Sequence, residues 1–387
     1  MSHRIPLSAP DITEAEIAAV NAVLRSPQLC MGPEQDAFER ALATYHGIPH
    51  AVAVSSGTAG LHLSLLTLEI GEGDEVILPS FAFIAVANMV HHVRATPVFV
   101  DIDPVTLNLS PAAVERAITP RTRAILAVHT FGVPAPMLEL RAIADRHNLV
   151  IVEDACEALG ASLDGQRAGA FGDLAVFGFY PNKQITTAEG GAVLTRDAAH
   201  AERVRSLGNQ GRAANRSQPA NHASSSADSS ARRQNRAEAG FNYRLSELAC
   251  AMGRVQMARL DEILALRRAA AERYQQLLGG IEALALPPLR IPGGEISWFV
   301  YVVRLAEDAD RDAIQAALAA RGIATARYFE PIHLQPAWSS HPGVARANLP
   351  VTESMGGRTL ALPFFNRITA GQQADVAEAL HRALQKI

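Results

Sequence analysis

The chain has 387 residues, of which 48% are hydrophobic and 19% are charged. This length corresponds to two or three domains, and the composition is that of a chain that folds around a core, which excludes a wholly disordered protein. The formal net charge is −4, from 35 Lys and Arg against 39 Asp and Glu. Because binding to nucleic acid normally requires a basic field, nucleic acid is not expected as a partner.

The apolar runs and the cysteines indicate the compartment. No run approaches the roughly 20 residues of a membrane span, and residues 1–6 contain no apolar stretch followed by a cleavage site. The three cysteines, at positions 30, 156 and 250, are odd in number and widely separated. This spacing favours reduced core thiols over a disulfide framework or a metal site. We therefore expect a cytoplasmic protein with no membrane span and no metal.

From residue 50 to about 200, short β-branched segments alternate with longer segments of helical period. This alternation predicts an α/β fold with a largely parallel sheet. The predicted strands are 50–54, 76–78, 97–100, 124–128, 149–152, 174–179 and 192–195, and the predicted helices are 59–68, 83–92, 111–118 and 137–147. Active sites in such sheets lie at the carboxyl ends of the strands, so residues that follow a strand are candidates.

The composition changes at about 212–239, where Ser-rich sequence contains few apolar residues. This predicts a flexible insertion, with a functional lid as the alternative. The helical period returns after it and predicts one long amphipathic stretch over 245–278. Strand-like and helix-like segments follow, with a terminal helix from Ala370. We therefore predict a large domain over residues 1–250 and a small C-terminal domain over residues 251–387.

Two segments suggest binding groups at strand ends. Ser55–Gly60 follows a strand and opens an apolar helix, where backbone N–H groups and the helix dipole favour an anion such as phosphate. A helix start with no ligand is an equally common reading. Glu153, Asp154 and Glu157 follow another buried strand, where unpaired carboxylates are costly. For Asp154, the alternative is a cap of the following helix.

Lys183 lies between an aromatic strand end and a Thr- and Gly-rich turn. A partly desolvated ammonium in such a place becomes a reactive amine, as a lysine that binds a carbonyl cofactor covalently requires. Pyridoxal phosphate needs a cradle for its phosphate, an acid for its pyridine nitrogen and an amine for its aldehyde. The three segments together meet these needs.

The chain resembles the DegT-type family of nucleotide-sugar aminotransferases, within the fold type I pyridoxal-phosphate enzymes. The resemblance implies a large α/β/α domain with a mostly parallel sheet and a smaller C-terminal α/β domain. It also implies transfer of an amino group from an amino acid, L-glutamate, to a keto group of a nucleotide-linked sugar in amino-sugar biosynthesis. The matching segments are 32–34, 55–61, 101–103, 129–132, 153–155, 181–191, 209–211, 240–245 and 331–336.

The resemblance also implies roles for single residues. Lys183 matches the lysine that binds the cofactor and then carries a proton, and Asp154 matches the acid that pairs with the pyridine nitrogen. Gly57, Thr58 and Ala59 match the positions that hold the phosphate. The resemblance therefore implies that all three groups needed by the cofactor come from one chain.

Further matches concern the ring, the sugar and a second subunit. Phe83 matches an aromatic that stacks on the cofactor ring, and Glu157 stands where many members have Gln near the cofactor's phenolic oxygen. Asn242 matches an asparagine that reaches the neighbouring subunit's cofactor, which implies a homodimer with a shared active site. Tyr328 and His333 are candidate sugar contacts, and a core or helix-capping histidine is the alternative for His333.

The chain departs from the commonest family wording at three further positions. Gly178 replaces a phosphate-binding Ser, Tyr180 replaces His, and Ala188 replaces Gly. Loss of the Ser hydroxyl removes about 0.5–1.5 kcal/mol of net hydrogen bonding. Two other functions remain as alternatives. One is a sugar dehydratase of the same family, which has His in place of Lys183, and the other is a regulatory or sensor protein that binds cofactor or sugar without turnover.

Overall fold

The structure, a computed structural model, describes residues 4–212, 238–345 and 347–385. The predicted insertion at 212–239 therefore falls almost entirely outside the described residues. The helices are α1 Glu14–Leu24, α2 Pro33–His46, α3 Gly57–Thr67, α4 Ala85–His92, α5 Pro111–Ala117, α6 Met137–His147, α7 Ala198–Gly208, α8 Glu247–Ala258, α9 Leu260–Leu278, α10 Arg311–Ala319, α11 Pro350–Arg358 and α12 Ala370–Leu384. The strands are β1 His50–Val54, β2 Glu75–Pro79, β3 Thr96–Val100, β4 Thr122–Val128, β5 Val150–Asp154, β6 Ser162–Leu163, β7 Gln166–Arg167, β8 Leu174–Gly178, β9 Gly191–Thr195, β10 Leu284–Ala285, β11 Gly294–Glu295, β12 Tyr301–Leu305 and β13 Thr359–Leu362.

A seven-stranded sheet forms the centre of the fold, in the order β1-β9-β8-β5-β4-β2-β3. β9 is antiparallel to both of its neighbours, and the remaining pairs are parallel. The prediction of a mostly parallel α/β sheet is thus confirmed. Its strands are short apolar runs because both faces are covered by helices.

The two faces of the sheet pack against different helices. Val76 and Leu78 of β2 point into a core shared with α3, α4 and α7. Ile77, between them, points to the opposite core, shared with α5 and α6. Further along the same sheet, α2, α8 and the start of α9 form another core with β1 and β8. The alternation of the strands therefore builds a three-layer α/β/α unit.

The predicted helical stretch 245–278 is two helices, which corrects the expectation of one. α8 ends at Ala258, and the capping residue Arg259 has φ of −101° and ψ of 5°. Cys250 on α8 packs in the core with α2, whereas Tyr274 and Leu278 on α9 pack in a separate core. An apolar period of 3.6 residues runs through both helices. The pattern therefore does not show that the two helices pack in different cores, and it predicts one helix.

A second, smaller sheet has the order β10-β12-β13 and is antiparallel. It shares one core with α9, α10 and α12, and Ile5 and Val133 belong to that core as well. The terminal helix begins at the predicted residue, Ala370, after Thr369, which forms a capping box with Gln372. The domain boundary between residues 250 and 251 stays a prediction. Within the described part of the chain, no helix is long and apolar enough to cross a membrane.

Candidate active site

The order of the central sheet brings the three sequence segments to one place. The Ser55–Gly57 turn follows β1, Asp154 ends β5, and Lys183 lies in the turn between β8 and β9. β1, β9, β8 and β5 are consecutive neighbours in the sheet. Because β1, β5 and β8 run in the same direction, their carboxyl ends share one edge, and residues more than a hundred positions apart in the sequence meet there.

The turn after β1 forms an anion cradle at the start of α3. Ser56 is in an extended conformation, and its Oγ accepts a hydrogen bond from the Ala59 N–H at 3.0 Å. The N–H groups of Gly57 and Thr58 belong to the first helical turn, where no helix carbonyl is available to them. The positive end of the helix dipole adds to their attraction for an anion. The Ala59 N–H is already occupied by the cap, so Gly57 and Thr58 are the stronger phosphate candidates.

Glycines allow the cradle to lie against the start of β9 and against the turn at Cys156. A Cβ on Gly191 would lie 2.5 Å from the Ser56 carbonyl carbon, and a Cβ on Gly57 would lie 2.7 Å from Cys156 Sγ. A side chain at Gly178 would also meet Cys156 Sγ, at 3.3 Å. The Cys156 thiol thus occupies the space beside Gly178. Burial and the neighbouring Asp154 carboxylate raise the pKa of Cys156 well above its usual value, so it stays a thiol.

Asp154 is buried at the end of β5. Its Oδ1 accepts a hydrogen bond from the Cys156 N–H at 3.1 Å. Residues 155–161 form turns, and the next regular elements are β6 and β7. The helix-cap alternative for Asp154 is therefore wrong: the carboxylate braces a turn. The adjacent Glu153 has a purely internal role, since it accepts hydrogen bonds from His129 and from the N–H groups of Gly169, Phe171 and Gly172.

Lys183 lies between an acidic and an aromatic group. Its Nζ is 3.5 Å from Glu157 Oε1 and 3.9 Å from the centre of the Phe299 ring, and its side chain is 15% exposed. The backbone turn is closed by a hydrogen bond from the Lys183 N–H to the Tyr180 carbonyl. Further along this turn, Ala188 has φ of 66°, a conformation that a glycine adopts more easily. The Lys183 amine is therefore partly accessible to solvent, and its position is fixed by Glu157 and Phe299.

Glu157 is fixed by the backbone around it. Its Oε2 accepts a hydrogen bond from the Phe131 N–H at 2.8 Å, and its carbonyl accepts one from Gln184 Nε2 at 2.6 Å. Burial raises the pKa of Glu157, and the Lys183 ammonium opposes that rise. Oε1 of Glu157 therefore faces the Lys183 amine, while Oε2 is held by the backbone N–H of Phe131.

Phe299 is held in place from behind by a buried guanidinium, which the sequence analysis did not identify. Arg267 on α9 donates hydrogen bonds to the carbonyls of Trp298 and Phe299 and to Asn366 Oδ1. Gln184, next to Lys183, donates to Ser297. The segment that carries Phe299 is therefore bound both to α9, through Arg267, and to the Lys183 turn, through Gln184. An arginine on the apolar face of a predicted helix was the available signal.

The other predicted site residues occupy different surroundings. Phe83 follows β2 and is 61% exposed, and Asn242 is also exposed, on a segment that forms a β-bridge at Asn209. Tyr328 is near Glu157: burial of the phenol and then the charge of Glu157 raise the pKa of Tyr328, while a hydrogen bond from Asn182 opposes the rise. The structure thus brings Tyr328 to the Lys183 cluster.

His333 is buried and both of its ring nitrogens have protein partners. Nδ1 lies 2.7 Å from Ser80 Oγ, and Nε2 lies 3.3 Å from Glu353 Oε1. This arrangement matches the alternative of a core histidine. A role in sugar binding stays a prediction for His333.

Comparison with known proteins identifies the family. The model of the DegT/DnrJ/EryC1/StrS aminotransferase family matches residues 10–381. The chain belongs to this family. It is similar to the aminotransferase TlmJ from Streptoalloteichus hindustanus, with 32% identity over 99% of both chains and a TM-score of 0.90. It is also similar to DesV from S. venezuelae, with 38% identity over 100% of both chains and a TM-score of 0.87.

A third relative bears on the cofactor. The chain is 27% identical to Spr1654 from Streptococcus pneumoniae, a protein assigned as a sugar aminotransferase and solved in a PLP form, over 99% of both chains with a TM-score of 0.89. The same protein is also known in a PMP form. Pyridoxal phosphate is the cofactor of this family, and the protein is a pyridoxal-phosphate-dependent aminotransferase.

The residues present fit this cofactor. The cradle at Gly57 and Thr58 lies so close to the start of β9 that a Cβ on Gly191 has no room. Asp154 ends β5, and Lys183 lies in the turn between β8 and β9, at the same edge of the sheet. Among the described residues, the buried Asn182 Oδ1 accepts no hydrogen bond, which leaves a polar atom for a ligand at the same turn.

Proposed function

We propose that the protein transfers an amino group from L-glutamate to the keto group of a nucleotide-linked sugar, and that Lys183 and Asp154 are the catalytic residues. The observation that carries this proposal is the meeting of the Lys183 amine, the Asp154 carboxylate and the α3 cradle at one sheet edge. Family membership supports the reaction class. The nucleotide carrier and the carbon that is aminated depend on the shape of the sugar pocket.

Each of these residues has a defined task. When bound, pyridoxal phosphate supplies an aldehyde and a ring that accepts electrons. Lys183 provides the amine that anchors this group, and once displaced its Nζ carries a proton from the α-carbon of the donor. Asp154 would pair with the ring nitrogen of the bound group. Gly57 and Thr58 hold the phosphate through their N–H groups, and Phe83 offers a ring for stacking.

The active assembly is proposed to be a homodimer. Asn242 matches a residue that reaches the partner's cofactor, and its exposed amide leaves it free for such a contact. A location in the cytoplasm stays a proposal and is supported by the three free cysteines.

Absorbance measurements and a substrate panel test the proposal. Added pyridoxal phosphate should give the absorbance of a lysine-bound cofactor, glutamate should bleach it, and a nucleotide-linked keto sugar should restore it. Lys183→Ala should lose both the absorbance and the turnover, because the amine is the attachment point. Glu378→Gln, on the exposed face of α12, serves as the control.

The outcomes also separate the alternatives. A protein that binds the cofactor and is not bleached by any amino acid would be a sensor rather than a transaminase. Loss of a sugar hydroxyl without gain of an amino group would indicate a dehydratase. Near-normal transamination by Lys183→Ala would refute the assignment of the lysine.

A further inference from the structure

The position of Lys183 between Glu157 and Phe299 points to a role for Glu157 beyond cofactor binding. Nζ lies 3.5 Å from Oε1 on one side and 3.9 Å from the aromatic ring centre on the other. Carboxylates and aromatic faces both attract cations. Phe299 is almost fully buried and Glu157 is buried, so both contacts are shielded from water. Together the two groups form a site that can hold an ammonium group.

We propose that Glu157 and Phe299 hold the free ammonium of Lys183 and so set how readily its Nζ gives up a proton. Glu157 acts here as a positioning residue, through the ion pair at Oε1. This inference rests on the proposed role of Lys183 as the cofactor-binding amine.

Burial is what makes this pairing matter. Release of a proton from Nζ to water would leave the buried Glu157 carboxylate without its cation, and an unpaired buried charge is costly. Among the described residues, Asp154, Cys156 and Tyr328 are the other titratable groups that interact with this pair. None of them brings a positive charge.

The composition of the chain provides a direct test, because it contains only two lysines, Lys183 and Lys386. The full-length protein is freed of cofactor with hydroxylamine, and its amines are labelled with 1-fluoro-2,4-dinitrobenzene across a pH series. Mass spectrometry of peptides gives the labelling rate at each lysine, and Lys386 is the internal reference. The plateau rate at high pH reports access to the amine, whereas the midpoint reports its affinity for the proton.

Glu157→Gln should move the Lys183 midpoint to lower pH by about one unit, since an opposite charge at this distance shifts proton affinity by that order. Below the midpoint, labelling should be about tenfold faster, with an unchanged plateau. The Gln carbonyl can still accept from the Phe131 N–H, so the fold should persist, as circular dichroism will check. Phe299→Leu should shift the midpoint in the same direction by less, and Glu378→Gln should leave it unchanged.

A midpoint that stays in place or rises in both variants would overturn the proposal. A changed plateau with a fixed midpoint would also overturn it, because it would reveal packing alone. The measurement uses neither donor nor sugar. Failure here is therefore distinguishable from failure of the proposed reaction, which the substrate panel tests separately.

Discussion

Asp154 joins a structural contact and a proposed catalytic one in a single carboxylate. Asp154→Asn keeps an oxygen that can accept from the Cys156 N–H, so the melting temperature should change little. The charge beside the ring nitrogen is lost, and loss of one partner of a buried ion pair costs about 3–5 kcal/mol, equivalent to more than a hundredfold in rate. Steady-state transamination measures this. Asp197→Asn, at the distant cap of α7, is the control. If the rate of Asp154→Asn is within tenfold of that of the unchanged protein, Asp154 has only the structural role of stabilising its turn.

A buried histidine should make stability depend on pH. Burial lowers the pKa of His46 to about 4 from 6.5, against opposing effects from its hydrogen bond to Leu42 and from Glu153, while Arg167 adds to the lowering. The unfolded chain therefore binds the proton first as pH falls. The stability is fully present above pH 6.5 and is lost towards pH 4, with a loss of about 2 kcal/mol between pH 7.5 and 5.

Melting temperatures at these two pH values should thus differ less in His46→Leu than in the unchanged protein. His381→Gln, at an exposed position on α12, should leave the difference as it is. An equal pH dependence in all three proteins would show that His46 does not control it.

The residues found from sequence share a simple property, which the missed ones lack. Ser55–Gly57, Asp154 and Lys183 lie at or after the ends of β1, β5 and β8, and strands that run in the same direction bring such residues to one edge. Phe299 packs with Phe131 and is held by Arg267 on α9, so its contact with Lys183 depends on how these elements pack against the sheet. The spacing of hydrophobic residues along the sequence does not reveal how these elements pack against one another. The same limit applies to His333, whose bonds to Ser80 and Glu353 no motif reveals.

At the scale of elements, α9 supports the site through one side chain. Arg267→Met removes the donors to the carbonyls of Trp298 and Phe299, and each unsatisfied buried carbonyl costs about 1–3 kcal/mol. We expect a lower melting temperature and a changed fluorescence of Trp298. Arg267→Lys, which restores part of the donation, should lie between the two. Arg268→Met alters the exposed neighbour and should change neither; equal effects of both Met variants would refute the bracing role.

The boundaries of elements were predictable where the chain itself marks them. α6 and β1 occupy the predicted residues, since Asn148 in a left-handed conformation ends α6 and a short β-branched run defines β1. The two helices within 245–278 were not separable. Arg259 stops α8 while its guanidinium pairs with Asp11 and Glu16 near the start of the chain, and such distant partners leave no local trace.

The whole molecule is proposed to need two copies for one site. A mixture of inactive Lys183→Ala and inactive Asn242→Asp chains should regain activity, because a mixed dimer has one site with both residues intact. The other site carries an Asp carboxylate that repels the cofactor phosphate, so recovery should stay below half. Activity after subunit exchange measures this, with each variant alone as the control. No recovery despite proven exchange, or an active monomer in sedimentation, would exclude the shared site.

The antiparallel strand β9 also sets when the site can form during synthesis. β1 has β9 as its neighbour in the sheet, with Val54 opposite Gly191. The first strand of the chain therefore cannot pair until β9, which is synthesised much later, is available. The nascent chain leaves the ribosome from its N-terminus, and pairing across so long a stretch is slow. The phosphate cradle after β1 and the lysine before β9 are therefore fixed by the same late event. A ribosome-bound chain that ends before β9 should have neither in place, which makes cofactor capture a report on completed sheet assembly.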